Sequence, residues 1–301
     1  MTTSPQLHPL PINHQLASNL ATTTMSHQDS EPEEAITKEE IEGKAPVSAR
    51  NAFTELMTPK RKAPPSAPPP RMSRGGNPFR DRMGLGAYLE DPASYPSSRV
   101  IYHNDSFVAI NDRYPKATIH TLLLPRSTKH NLLHPFEAFD DPEFLASVKA
   151  ETARLRVLVV KELQRRLGPE SRSDAQRQAV LNGDAEPGES GELPAGRDWD
   201  AEVISGVHAV PSMRHLHVHV LSREMYSEAL RHRKHYNSFN TPFLVNVDDF
   251  PLAADDPRRN TKEEAYLKWD MKCWRCGRNF GNQFQKLKEH LKDEYETWKK
   301  I

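Results

Sequence analysis

His215-Leu216-His217-Val218-His219-Val220-Leu221 decides how the rest of this chain is read. Residues two apart on a β-strand project from the same face. His215, His217 and His219 therefore line one side of a strand, and Leu216, Val218 and Val220 bury the other. A single histidine on such a strand is usually structural, whereas three in strict alternation on a β-branched background point to chemistry. Two kinds of chemistry fit: a metal site of several imidazoles, or a nucleophilic imidazole whose neighbours set its tautomer. The second needs help from its surroundings, because only a neutral ring nitrogen attacks. The opposite nitrogen must carry the proton and be held by an acceptor.

Outward from this strand, the pattern predicts an α+β fold. Val203 to His208 reads as a paired strand turning back through Val210-Pro211-Ser212. Arg99 to Asn111 reads as two strands around Asn104-Asp105, and Thr118 to Leu124 as a third strand ending at Pro125. Pro142 to Leu167 has apolar residues at helical spacing and ends at Gly168-Pro169. Phe79 to Leu89 reads as a short helix with Phe79, Met83 and Leu85 or Tyr88 on one side, closed by Asp91-Pro92. The expected domain is an antiparallel sheet with flanking helices over 79–256.

Two segments look different. The chain has 301 residues, of which 36% are hydrophobic and 25 are proline. Residues 1–78 hold twelve of those prolines and one aromatic residue, Phe53. So little apolar surface does not offset the entropy of ordering a backbone, and this segment is expected to be a disordered tail. It contains the basic cluster Pro59-Lys60-Arg61-Lys62, a candidate import signal or nucleic-acid contact. Glu170 to Glu202 carries nine acidic and three basic residues among Gly, Ser and Pro, so 170–202 is expected to be a disordered acidic insertion in a surface loop. The formal net charge of zero hides this segregation, since Pro257 to Ile301 holds twelve Lys/Arg against seven Asp/Glu. No run of about 18 apolar residues exists, so no membrane span is predicted. The N-terminus lacks the basic start and apolar core of a secretory leader. The only cysteines, two residues apart, exclude a disulfide framework and suggest a reducing compartment.

Those cysteines open a second motif. Cys273-Trp274-Arg275-Cys276 is followed after thirteen residues by His290, and Glu294 lies one helical turn beyond it. Two thiolates on a knuckle with two ligands at i and i+4 on a helix suit a tetrahedral structural zinc ion. No histidine follows His290, so the fourth ligand is a carboxylate or water. Phe280, Phe284 and Leu287 supply a small core, and 257–301 is expected to be a finger with its own core, separate from that of the triad. Arg275, Arg278, Lys286, Lys288 and Lys292 decorate it, and Arg223, Arg231, Arg233 and Lys234 precede it. Such residues contact phosphates and position a duplex without reading its sequence.

Four stretches together resemble the aprataxin branch of the histidine-triad (HIT) superfamily. His-x-His-x-His followed by two apolar residues is the HIT signature. Gly206-Val207-His208-Ala209-Val210-Pro211-Ser212-Met213 is similar to that branch's segment before the triad. Lys234-His235-Tyr236-Asn237-Ser238-Phe239-Asn240-Thr241 is similar to its stretch after the triad, with Tyr236 where Trp is usual. Tyr114-Pro115-Lys116-Ala117 through Leu122-Leu123-Leu124-Pro125-Arg126 is similar to its upstream strand. With the finger, the resemblance covers about 79–167 and 203–301 and leaves out the tail and the insertion.

The resemblance implies a HIT domain fused to a zinc finger, in a nuclear enzyme that removes AMP from the 5′-adenylated DNA left by abortive ligation. His217 is then the nucleophile at the adenylate α-phosphorus, through a covalent adenylyl-histidine that water hydrolyses. His215 and His219 orient it and contact phosphate oxygens. His208 stabilises charge on the phosphate or protonates the leaving group. Ser212 and Lys234 match phosphate contacts, Lys116 is a further substrate-binding candidate, and Asn111 or Asp112 faces the ribose. An apolar side chain of the first helix, with Phe79, Met83 and Tyr88 as candidates, packs on the DNA end. Fungal members use glutamate as the fourth zinc ligand, which suits Glu294. Nicked or 5′-adenylated duplex DNA is the implied partner and AMP the product, with no membrane involved. Two rivals are a HIT hydrolase of small adenylates or phosphoramidates and a nucleic-acid adaptor without catalysis.

Overall fold

The computed structural model describes residues 82–189, 191–260 and 265–301. The tail expected over 1–78, its basic cluster and Phe79 lie outside the described residues. A short helix α1 (Gly86–Glu90) leads into β1 (Val100–His103) and β2 (Phe107–Asn111). After β3 (His120–Pro125) come a turn of helix, α2 (Pro135–Ala138), and the long α3 (Pro142–Leu167). A helix α4 (Ala175–Asn182) precedes β4 (Val203–His208) and β5 (Val218–Ser222). Next are α5 (Arg233–Asn240) and β6 (Leu244–Val245). The small hairpin β7 (Met271–Lys272) and β8 (Asn279–Gly281) and the helix α6 (Phe284–Trp298) complete the chain. The main sheet has the order β1-β2-β3-β5-β4-β6 with every neighbouring pair antiparallel.

Helix α3 begins where sequence chemistry starts it. The Asp141 carboxylate accepts from the Phe144 N–H, Pro142 occupies the first turn, and Gly168-Pro169 ends it. Leu145, Val148, Leu155, Val159 and Leu163, with buried Thr152 between, recur every three or four residues and, with Phe144, face the sheet. They meet Leu123 of β3 and Leu216, Val218 and Val220 beside and within β5. Each such side chain, once buried, contributes roughly 1.5–3 kcal/mol. The opposite face of β1–β3 packs Val100, Val108, Ile110, Leu122 and Leu124 against Leu85 ahead of α1.

Register fixes what the second face carries near the middle of the sheet. His219 pairs with Leu122 on one side and Gly206 on the other. His120 lies two residues before Leu122, and His208 two residues after Gly206, so all three imidazoles fall on one face. Gly206 is needed here for a close approach, since a Cβ would lie 2.5 Å from the Val245 carbonyl oxygen.

The structure corrects two expectations. The described residues of the insertion 170–202 do not form a disordered loop. They contain α4 and bury Asp174, Arg197 and Trp199. The acidic composition of the insertion conceals one tryptophan and a set of polar groups hydrogen-bonded to one another, which anchor it. The finger also has no core of its own. Met271, Cys273, Phe280, Leu287 and Leu291 share a cluster with Leu221, Met225, Leu230, Tyr236 and Phe239, and Trp298 joins the main core.

Gly206→Ala is expected to lower stability by about 1–3 kcal/mol, because β4 and β6 must separate to admit the methyl group. A urea titration beside the wild type measures this, and an unchanged midpoint would show that β6 moves without cost.

Candidate active site and metal-binding finger

His217 precedes the regular part of β5, and its Nδ1 lies 2.8 Å from the carbonyl oxygen of His215. A carbonyl only accepts, so Nδ1 carries the proton and Nε2 holds the lone pair. The main chain thus assigns the tautomer that a nucleophile requires. His219 is assigned the other way. The Lys116 backbone N–H donates to His120 Nδ1 at 3.1 Å, which leaves the His120 proton on Nε2. That nitrogen is 2.9 Å from His219 Nδ1, which accepts. The His219 proton is therefore on Nε2, a buried atom without a partner among the described residues. It is a donor aimed at whatever acceptor enters the cluster.

The rings pack closely. His219 is 4.9 Å from His217 and 4.4 Å from His208, centroid to centroid, with Phe239 and Phe243 against His208. His208 Nε2 and His215 Nδ1 are also buried without partners among the described residues. Burial pushes all five basicities down. His120 falls to about 4, His208 and His219 lie well below their ordinary value, and His215 and His217 are lowered. Burial is the main cause in each case, and the Lys116 charge adds to it at His120, His208 and His219. At neutral pH the cluster is a set of neutral imidazoles beside one cation.

The remaining candidates divide. Asp112 Oδ2 approaches His120 Nε2 to 3.6 Å, which brings Asp112 to the cluster. Asn111 is turned to the edge, where its amide donates to the Ser98 carbonyl. Ser212 lies in the loop between β4 and β5, and its carbonyl accepts from Arg82 Nε at 2.9 Å. Lys234 stands in the first turn of α5, next to His235, whose basicity falls to about 3 through burial and the charge of Lys116. Helix α1 reaches the cluster through Gly86, where a Cβ would come within 2.8 Å of the His215 ring. Tyr88 packs on Tyr95, while Met83 is half-buried outside that apolar cluster. Sequence reading missed His120. Its only signal was its place in the segment that follows Lys116.

In the finger, one donor atom each from Cys273, Cys276, His290 and Glu294 lies within 4.8 Å of all the others. Cys276 Sγ is 3.2 Å from His290 Nε2, which is 3.3 Å from Glu294 Oε1. Separations of this size suit four ligands around one zinc ion, and the two thiolates, imidazole and carboxylate are its usual donors. Arg275 donates to the second Glu294 oxygen at 2.6 Å, which orients the carboxylate and takes this arginine from the free basic surface.

The depressed basicities carry a stability consequence. Below about pH 6.5 the unfolded chain takes up protons that the folded cluster refuses. Stability is therefore expected to be full above that pH and to fall as the pH drops, by up to about 1.4 kcal/mol per pH unit for each histidine held neutral. Urea titrations between about pH 7.5 and 5.5 test this, with His120→Asn giving a shallower slope. A flat wild-type profile would mean that the cluster accepts protons while folded.

The fold and site match known proteins along most of the chain. The HIT domain model matches residues 95–225, and the model for C2HE, C2H2 and C2HC zinc-binding fingers matches residues 240–297. An aprataxin-like protein of Schizosaccharomyces pombe is 32% identical over 224 residues, covering 73% of this chain and 83% of that protein. One from Saccharomyces cerevisiae is 32% identical over 222 residues, covering 72% of this chain and 96% of that protein. The crystal structure of the aprataxin ortholog Hnt3 in complex with DNA superposes with a TM-score of 0.56 at 30% identity, covering 72% of this chain and 96% of that one. Among the described residues, no helix is long and apolar enough to cross a membrane. With its histidine cluster and its Cys-Cys-His-Glu finger on one body, the chain belongs to the aprataxin family of HIT-domain hydrolases.

Proposed function

We propose that the protein removes AMP from 5′-adenylated DNA ends in the repair of single-strand breaks, acting through a covalent adenylyl-histidine. The observation that carries this reading is the bond from His217 Nδ1–H to the His215 carbonyl, which leaves Nε2 with its lone pair inside a neutral cluster. Nε2 attacks the adenylate α-phosphorus, the bond to the bridging oxygen breaks, and the DNA 5′-phosphate leaves with the electron pair. Water then attacks the same phosphorus and releases a proton to solvent. The P–N bond returns its electrons to Nε2, and AMP departs. Imidazole serves both steps, as a competent nucleophile and a good leaving group near neutral pH.

His219 Nε2–H donates to a phosphate oxygen, and Lys116 with Lys234 supplies positive charge. His208, kept neutral by burial, stabilises the charge on the phosphate, His215 fixes the nucleophile, and Ser212 contacts phosphate. Asp112 faces the ribose. Asn111, committed to Ser98, contributes less to that contact. Donors held in place where charge develops, in a site shielded from water, are worth roughly 3–4 kcal/mol each.

A zinc ion bound by Cys273, Cys276, His290 and Glu294 plays a structural part, tying the knuckle to α6 and fixing the basic surface. Exposed Arg278, Lys286 and Lys292 on that surface meet the duplex backbone. The DNA-bound Hnt3 structures support this reading, one with guanosine also present. The protein acts in the nucleus, with the basic cluster at Pro59–Lys62 as its import signal.

Incubation with a 5′-adenylated nicked duplex is expected to release AMP, and His217→Ala to abolish release. Protein trapped early in turnover should carry acid-labile AMP on His217. A label on His215 or His219 instead would overturn the assignment. Cys276→Ala is expected to lose zinc, to slow the DNA reaction more than that of a small adenylate, and to flatten the dependence of DNA binding on salt. Equal rates on both substrates and an unchanged salt slope would favour a hydrolase of small adenylates.

A further inference from the structure

The insertion 170–202 lies outside every motif used so far, yet it makes a buried, hydrogen-bonded polar cluster with the finger helix. Arg197 lies between two indole rings, 4.4 Å over Trp199 and 4.8 Å over Trp298 of α6. Its guanidinium donates to the Trp298 carbonyl at 2.7 Å and to Glu202 Oε1 at 2.8 Å. The other Glu202 oxygen accepts from Trp298 Nε1 at 2.8 Å. Asp174 holds the near side, accepting from the Arg197 N–H at 2.9 Å and from Trp199 Nε1 at 2.7 Å. Gly196 is required for this approach, since a Cβ there would lie 1.7 Å from Asp174 Oδ1.

The main chain joins in. The Arg172 and Ser173 N–H groups donate to the Lys300 and Ile301 carbonyls, and Glu170 pairs with Lys299 at 2.9 Å. These contacts tie the residues that follow α6 to the insertion, while Arg197 satisfies the Trp298 carbonyl in the last turn of that helix and brings a cation to its negative pole. Glu202 leads directly into β4, whose far end is His208. One six-residue strand thus separates the grip on α6 from the histidine cluster.

We propose that the insertion is an internal clamp on the finger helix, with Arg197 as its positioning residue, so that finger and histidine cluster meet one DNA substrate as a rigid body. The proposal rests on the reading of the protein as a DNA-adenylate hydrolase. A clamp of this kind sets where the duplex lies and leaves the chemistry at phosphorus untouched. Its loss is read in KM for DNA, with kcat preserved.

The test compares full-length, zinc-loaded wild type with Arg197→Met on two substrates, a 5′-adenylated nicked duplex and adenosine 5′-phosphoramidate. Amide hydrogen exchange over 284–301 and affinity for plain nicked duplex are measured on the same preparations. Arg197→Met is expected to raise KM for the duplex roughly tenfold. Its kcat and its kinetics on the phosphoramidate stay unchanged, its zinc is retained, and exchange over 284–301 quickens. Equal losses on both substrates, or faster exchange with an unchanged KM, would overturn the clamp. If Arg197→Met does not fold, Glu202→Gln removes one charge with little change of shape and is held to the same outcomes. Should the wild type release no AMP from the duplex, the hydrolase reading falls. The clamp is then judged by affinity for plain duplex, and an affinity unchanged by Arg197→Met overturns it.

Discussion

Burial of Leu216, Val218 and Val220 against α3 is the constraint on which the rest of this structure depends. These side chains and their partners on α3 form one continuous apolar layer. A slip of one residue in the register of β5 would drive imidazoles into that layer and expose the aliphatic groups, losing on both sides. The histidines are therefore confined to the opposite face, and pairing with β3 and β4 brings His120 and His208 to the same place. Confinement also excludes water, which keeps the rings neutral. Geometry and protonation state thus have a single cause.

Much of this was legible because it depends on local pattern. The hairpin at Asn104-Asp105, the helix from Pro142 to Leu167 and the spacing of Cys273, Cys276, His290 and Glu294 all follow from short-range rules of turn, cap and periodicity. What escaped depends on contacts between distant segments. His120 looks like an ordinary residue at the start of an apolar strand until pairing sets it beside His219, 99 positions away. Trp199 in an acidic stretch carries no periodic signal, and its partners Asp174 and Trp298 lie 25 and 99 residues from it. The shared core of finger and catalytic domain was hidden for the same reason, since no window of sequence contains both sides of that contact.

The joint between the two parts has a second attachment, at the knuckle. The Tyr236 hydroxyl accepts from the Trp274 N–H at 2.9 Å and donates to the Lys272 carbonyl at 2.8 Å, bracketing Cys273. An indole at this position would offer a donor alone, so the phenol makes a connection that a tryptophan could not. Helix α5 therefore carries His235 toward the histidine cluster and, one residue on, grips the finger. The finger is held at its knuckle by this helix and at the end of α6 by the insertion.

The imidazole protons are ultimately positioned by two main-chain groups, the His215 carbonyl and the Lys116 N–H. Peptide groups neither titrate nor change with the residue that carries them. The information that gives His217 a free lone pair and His219 a free N–H at the same ring position is thus stored in the path of the backbone. Side chains around the cluster are free to drift in evolution as long as that path persists, whereas an insertion or deletion that shifts either peptide group erases the distinction without altering a single histidine.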